Sequence, residues 1–240
     1  MRIALIGYGK MGKIIEEIAI SRGHSISARS TSKTMIDQID FSEVDVAIEF
    51  TTPDLAVQHI QHCVDQKTPV VVGTTAWDEQ LPFVKDYVIQ NGGSLLYASN
   101  FSIGVNIFFD LNRRLAKLMS THTKYDVKIE EAHHMEKLDA PSGTAVTLAN
   151  DVLSQNENLT SWVHEENETP TTNPGQVGVT SYRKPNVPGT HTIKYNSEID
   201  SIEMTHTAHS RTGFGLGAVI SAEWLHGRKG VYTMQDIIKH

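Results

Sequence analysis

The chain reads as an α/β protein: a doubly wound parallel sheet joined to a second α+β domain built on a mixed or antiparallel sheet. Three observations carry this reading. From Arg2 to about Ala98, short apolar runs alternate with helical stretches, the rhythm of parallel strands linked by crossover helices. The first apolar run passes straight into a glycine-rich turn, GYGKMG. After Asn100 the pattern changes to a long helix followed by segments that alternate with period two around turn residues.

In order, strands are expected at Ile3–Gly7, Ser25–Arg29, Val44–Phe50, Pro69–Gly73 and Ser94–Ser99, and their apolar character predicts burial on both faces. KMGKIIEEIAISRG has helical spacing and stops at Gly23, while PDLAVQHIQHCVDQ opens with Pro53 and Asp54 at first-turn positions. VNIFFDLNRRLAKLM reads as a helix, YDVKIEEAHH as a half-buried strand, and a further helix starts at Ser142. The polar stretch SQNENLTSWVHEENETPTTNPGQ lacks periodicity and is expected to be a mobile surface loop. GVTSYRK, GTHTIKYNS and SIEMTHTAH alternate as strands, and FGLGAVISAEWLHG and MQDIIKH return to helix.

The 240 residues, 39% of them hydrophobic, suffice for one large core or two modest ones. A net charge of -7 argues against nucleic acid as a partner. Cys63 is the single cysteine, so an internal disulfide is excluded and a reducing cytoplasm fits. MRIALIGYGKMG reads as neither signal peptide nor membrane span.

Gly7, Gly9 and Gly12 stand in GxGxxG spacing between strand and helix, the fingerprint of a Rossmann-type dinucleotide site; an unliganded glycine turn is the plainer alternative. After the second strand, Arg29, Ser30, Thr31, Ser32 and Lys33 include no acid, and Lys10 lies nearby with Met11 in the glycine loop. A ribose 2'-phosphate suits that set, so NADPH is expected to be preferred over NADH. Thr51, Thr52, Gly73, Thr74 and Thr75 close two further strands at the sheet edge where such folds bind ligands.

Pro141, Ser142, Gly143 and Thr144 open a helix, making either an anion cradle or a routine N-cap. His133 is a candidate general acid and Lys137 a candidate anion anchor, while adjacent His133 and His134 point to opposite sides of a strand. Arg211 stands where a cation can reach into a cleft. His59 with His62, and His206 with His209, lack a matching ligand set, so no metal site is expected.

GYGKMG, EFTTP, VGTTA, ASNFSIGVN, EAHHMEKLDAPSGTA and THTAHSRTGFGLGA together resemble the dihydrodipicolinate reductase family. The resemblance implies an NAD(P)H-binding Rossmann domain over residues 1–103 and 213–240, and a domain over 104–212 that binds substrate and builds a homotetramer. It implies that His133 donates the proton with Lys137 as its partner. His134, Ser142, Gly143 and Thr144 would hold a substrate carboxylate, with Arg211 added to that set on its position. Gly73, Thr74, Thr75 and the stretch Ser99, Asn100, Phe101 would frame the nicotinamide. The activity implied is reduction of 4-hydroxy-tetrahydrodipicolinate, a small dicarboxylate, in the diaminopimelate route to lysine, with closure about linkers near Ile103 and Thr212. The rival readings are another NAD(P)-dependent amino-acid or hydroxy-acid dehydrogenase, and a non-catalytic NAD(P)H-sensing module.

Overall fold

The computed structural model describes residues 1–31, 33–210 and 212–239. Its first half lays down β1 (Arg2–Ile6), α1 (Lys10–Ser21), β2 (Ser25–Ser30), β3 (Val46–Glu49), α2 (Pro53–Asp65), β4 (Val70–Val72), α3 (Leu81–Gln90) and β5 (Ser94–Tyr97). All the pairings among these strands are parallel. Alternation along each strand sends side chains to two cores. Ala4, Ile6, Ala47, Val70 and Val72 meet Ile60, Val64, Val84 and Val88 of α2 and α3. Ile3, Leu5, Val46, Ile48 and Val71 take the opposite side with Ile15 and Ala19 of α1. Each fully buried Val, Ile or Leu contributes roughly 1.5–3 kcal/mol. Both faces are covered, so the central strands read as unbroken apolar runs. β2 departs from that expectation: it is the sheet edge, and its exposed Ser25, Ser27 and Arg29 alternate with half-buried Ile26 and Ala28.

The chain continues through α4 (Ile103–Met119), β6 (Asp126–His133), α5 (Gly143–Gln155), β7 (Ser161–Glu166), β8 (Gln176–Arg183), β9 (Gly189–Asn196) and β10 (Ser201–Ala208). The second sheet has the order β10-β9-β6-β8-β7 and is mixed: β10, β9 and β6 pair antiparallel, and β6, β8 and β7 parallel. The stretch expected to be a mobile loop therefore contains β7, an edge strand hydrogen-bonded to β8. As an edge strand β7 buries none of its residues fully, so Trp162, Val163 and His164 show no period-two signal.

α6 (Thr212–Leu225), β11 (Gly230–Tyr232) and α7 (Met234–Ile238) follow. α6 adds Ala218, Val219, Ala222 and Leu225 to the core beside α1. β11 pairs with β5 and makes the first sheet six-stranded, in the order β11-β5-β4-β3-β1-β2. The chain thus divides into one unit of Met1–Asn106 with Thr212–His240 and another of Ile107–Arg211. Among the described residues, no helix is long and apolar enough to cross a membrane. Cys63 is buried, and burial beside Glu49 pushes its thiol pKa upward, which keeps it unreactive.

Candidate active site

In the first unit, Gly7 turns with φ 95°, and a Cβ there would lie 2.0 Å from the Phe50 carbonyl oxygen. Glycine is required on both counts. At Gly12 a Cβ would lie 2.5 Å from the Gly7 carbonyl oxygen, so the third glycine sets how closely α1 packs on its own turn. Gly9 caps α1, and the place its Cβ would occupy faces open space. A cavity of about 570 Å³ opens here, lined by Gly7, Tyr8, Gly9, Ser30, Thr51 and His59 among others. Its volume and the helix start beside it suit a nucleotide.

Ser30 joins β2 to the glycine turn: its hydroxyl accepts from Gly7 N at 3.0 Å and its carbonyl from Tyr8 N at 3.0 Å. The loops after β3 and β4 brace each other, Thr51 N donating to Thr74 Oγ1 at 2.7 Å and Gly73 N to the Glu49 carbonyl at 2.9 Å. Thr75, Ser99, Lys10 and Lys33 are exposed. Asn100 orders its own turn by accepting from Ser102 N at 2.9 Å. Met11 packs against the core, and Phe101 is buried within it, its ring 5.8 Å from that of Phe50, so both side chains serve packing. Arg29 is not a waiting cation. It forms a two-pronged ion pair with Glu16 on α1 and lies over the Tyr8 ring, 5.5 Å from its centroid. Arg29 and Tyr8 pull the Glu16 pKa down to about 2. Ser32 and Arg211 lie outside the described residues.

In the second unit, the pleat of β6 puts Val127, Ile129, Glu131 and His133 on its buried face. The Glu131 carboxylate accepts from Ser142 N at 2.8 Å, from Ser142 Oγ, and from Ser181 Oγ at 2.6 Å. His191 Nε2 lies 3.3 Å from Glu131 Oε2 and 3.2 Å from Ser142 Oγ. Burial alone would raise the Glu131 pKa; hydrogen bonds from His191, Ser142 and Ser181 outweigh it and hold the group well below the usual carboxylate range. The carboxylate is therefore charged.

His133 is 7% exposed. Its ring meets that of His191 edge-on with centroids 5.1 Å apart, and its Nδ1 lies 3.5 Å from Glu131 Oε2 without forming a hydrogen bond. Burial pushes its pKa down to about 4; the Glu131 charge opposes this, while His191, Lys137 and Arg183 add to it. At neutral pH the unliganded ring is neutral. Beyond β6, Lys137 N donates to the carbonyl of half-buried His134 at 3.2 Å, and Lys137 Nζ donates to both Asp139 oxygens at 2.7 Å. Arg183, at the end of β8, fixes this turn by donating to the carbonyls of Lys137 at 3.1 Å and Asp139 at 2.9 Å.

Ser142 is the N-cap of α5, its Oγ accepting from Ala145 N at 3.2 Å. The amides of Gly143 and Thr144 have no partner among the described residues, and Gly143 faces open space. Ser142 is thus a cap, and the amides after it supply the anion-binding end of a dipole. Ligand atoms of Glu131, His133 and His191 lie within 4.8 Å of one another, a spacing a metal ion can use. Both oxygens of that carboxylate already accept hydrogens from Ser142 and Ser181, which closes the cluster as a hydrogen-bond network.

Glu131, Ser181, Arg183 and His191 were not among the residues expected from sequence. The signal for three of them is phase: Glu131 follows Val127 and Ile129, Ser181 follows Val177 and Val179, and His191 precedes Ile193 and Tyr195, each at an inward-facing position.

The family profile described as Dihydrodipicolinate reductase, N-terminus, matches residues 1–101, and that described as Dihydrodipicolinate reductase, C-terminus, matches residues 104–238. The chain belongs to the dihydrodipicolinate reductase family. Within this family, the 4-hydroxy-tetrahydrodipicolinate reductase of Christiangramia forsetii is 44% identical over 238 residues, covering 99% of this chain and 98% of the relative. The enzyme of the same name from Neisseria meningitidis serogroup B is 31% identical, covering 93% of this chain and 83% of the relative. In fold, the dipicolinate-bound dihydrodipicolinate reductase of Paenisporosarcina sp. TG-14 superposes with a TM-score of 0.74 at 24% identity, covering 97% of each chain. An amine dehydrogenase from Mycobacterium smegmatis shares the fold at a TM-score of 0.63 and 11% identity, covering 98% of this chain and 95% of that one.

Proposed function

We propose that the protein catalyses the NAD(P)H-dependent reduction of 4-hydroxy-tetrahydrodipicolinate to tetrahydrodipicolinate. One observation carries the reading: the carboxylate that takes the first amide of the α5 cap also lies beside His133, which gathers an acid and an anion-binding helix end into one cluster. Lys137, in the turn after β6, adds the cation that a dicarboxylate needs, exchanging its Asp139 partner for the substrate. Membership of the reductase family supports the same substrate.

The glycine turn and the cavity beside it fit a dinucleotide, which Gly7, Gly9, Ser30 and Thr51 would hold. When bound, reduced nicotinamide supplies the hydride. The chain's residues do the remainder. Lys137 and the Gly143 and Thr144 amides bind the carboxylates and orient the ring. The arriving negative charge favours protonated His133, countering the burial that depresses its pKa. As the ring loses its hydroxyl as water, the conjugated imine accepts hydride at one carbon and a proton at its neighbour. His133 is the donor, and with Nδ1 facing Glu131 its Nε2 is the nitrogen left to give that proton. His134 and Arg211 complete the substrate set on this reading. NADPH is preferred over NADH, since the five residues 29–33 include no acid and Lys10 and Lys33 are exposed; NADH serves as well. The working form is a cytoplasmic homotetramer.

The test is a coupled assay in which substrate is made in situ from aspartate semialdehyde and pyruvate by the preceding synthase and NADPH absorbance is followed. His133→Gln and Lys137→Ala are expected to lower kcat by about 10²-fold or more with NADPH affinity retained. Wild-type turnover in both variants would refute the assigned roles. Cofactor binding without any turnover would favour a sensing module, and oxidation of an open-chain amino or hydroxy acid a different dehydrogenase.

A further inference from the structure

Strand register places Glu131 directly opposite His191 on β9 and Ser181 on β8. The hydrogen-bond chain extends to β7, where His164 Nε2 lies 2.9 Å from Ser181 Oγ. One polar line therefore crosses four adjacent strands with a fully buried carboxylate at its middle. A core position of this kind is more cheaply filled by an apolar side chain, because a buried charge must be matched by donors on every side. Here the donors are all present, and the charge stands beside the residue read as the acid.

We propose that Glu131, held by His191, is the positioning residue for His133 and for the amide end of α5. The inference rests on the reading of His133 as the proton donor. Two effects follow from the geometry. Accepting from both Ser142 N and Ser142 Oγ, Glu131 fixes the first turn of α5 and so aims the Gly143 and Thr144 amides. Lying 3.5 Å from His133 Nδ1, the carboxylate also stabilises the protonated ring during the step that needs it. The charged and titratable groups that act on His133 are Glu131 from its own strand, His191 from β9, Lys137 from the following turn and Arg183 from β8. Of these four Glu131 alone is an anion, so removing its charge leaves His133 among groups that all disfavour its proton.

The experiment compares Glu131→Gln, Glu131→Asp, His191→Asn and His133→Gln in the full chain. It measures kcat, KM for substrate and NADPH, and the pH profile of kcat/KM. Glu131→Gln is expected to lower kcat by about tenfold or more and to move the alkaline limb of the profile down by about one pH unit, while KM for NADPH stays within about twofold. Glu131→Asp restores part of the limb, a rescue that a purely structural role does not produce. Should Glu131→Gln fail to fold, as judged by circular dichroism and NADPH binding, His191→Asn carries the test. It is expected to lower kcat and raise substrate KM severalfold with NADPH affinity unchanged. A folded Glu131→Gln with wild-type kcat and an unmoved limb overturns the proposal, as does a wild-type His191→Asn if the first variant is lost. Activity in His133→Gln instead overturns the underlying reading. An inactive His133→Gln beside a wild-type Glu131→Gln removes the positioning claim alone.

Discussion

Adding one methyl group at Gly7 and one at Gly9 should separate folding from cofactor binding. At position 7 the new Cβ would stand 2.0 Å from the Phe50 carbonyl oxygen, 2.7 Å from its carbon and 2.8 Å from Thr51 Cγ2, on a backbone with φ 95°. The Phe50 peptide cannot retreat freely, since its N–H donates to the Ile6 carbonyl at 2.8 Å in the register that joins β1 to β3. The left-handed conformation costs about 1–3 kcal/mol and the overlap a further ~1–3 kcal/mol, so Gly7→Ala should lose about 2–6 kcal/mol of stability. Gly9 has φ -88° and ψ -152°, a conformation alanine adopts, with nothing within 4 Å of the added carbon. Its stability should change by less than about 0.5 kcal/mol. The methyl would nonetheless occupy the approach of a pyrophosphate to the α1 amides. Losing one charge-assisted hydrogen bond, about 1.5–3 kcal/mol, weakens NADPH binding by about 10- to 100-fold. Urea unfolding and NADPH fluorescence titration of both variants provide the readout. Native affinity in Gly9→Ala, or native stability in Gly7→Ala, would refute the reasoning.

Two further outcomes are expected. In the folded chain His133 binds its proton less tightly, at about 4 against 6.5, so between those values the unfolded chain carries the extra proton and acid favours unfolding. The loss reaches roughly 3 kcal/mol by pH 4, and His133→Gln should flatten the fall of unfolding free energy from pH 6.5 to 4; equal slopes count against the assignment. Glu16→Gln frees Arg29 from its ion pair and should raise the NADPH-to-NADH ratio of kcat/KM severalfold, whereas an unchanged ratio excludes Arg29 from the 2'-phosphate site.

Much of this was legible in the sequence where one local rule decides the structure. The glycine spacing marks the β1–α1 turn because only glycine fits at positions 7 and 12, and Ser142 marks the start of α5 because its hydroxyl caps the first turn. Legibility failed where the neighbour decides. β7 is a strand only because β8 offers it an edge, and SWVHEE carries no alternation of its own. β11 is three residues long and takes its partner, β5, from more than a hundred residues earlier. Glu131 is not legible as a buried group because an acid in a strand is usually solvent-facing; what places it inside is the donor set brought by Ser142, Ser181 and His191 from three other elements. The pairing of Arg29 is not legible because its partner, Glu16, sits a full element away on α1.

The interruption of the first unit by the whole of the second sets an order of events during synthesis. Every strand of the β6–β10 sheet precedes β11 in the chain and emerges before it, so the middle of the protein can finish before its beginning. Until Gly230–Tyr232 emerges, β5 presents a bare row of peptide groups to any passing strand, a stickiness the nascent chain must outlast.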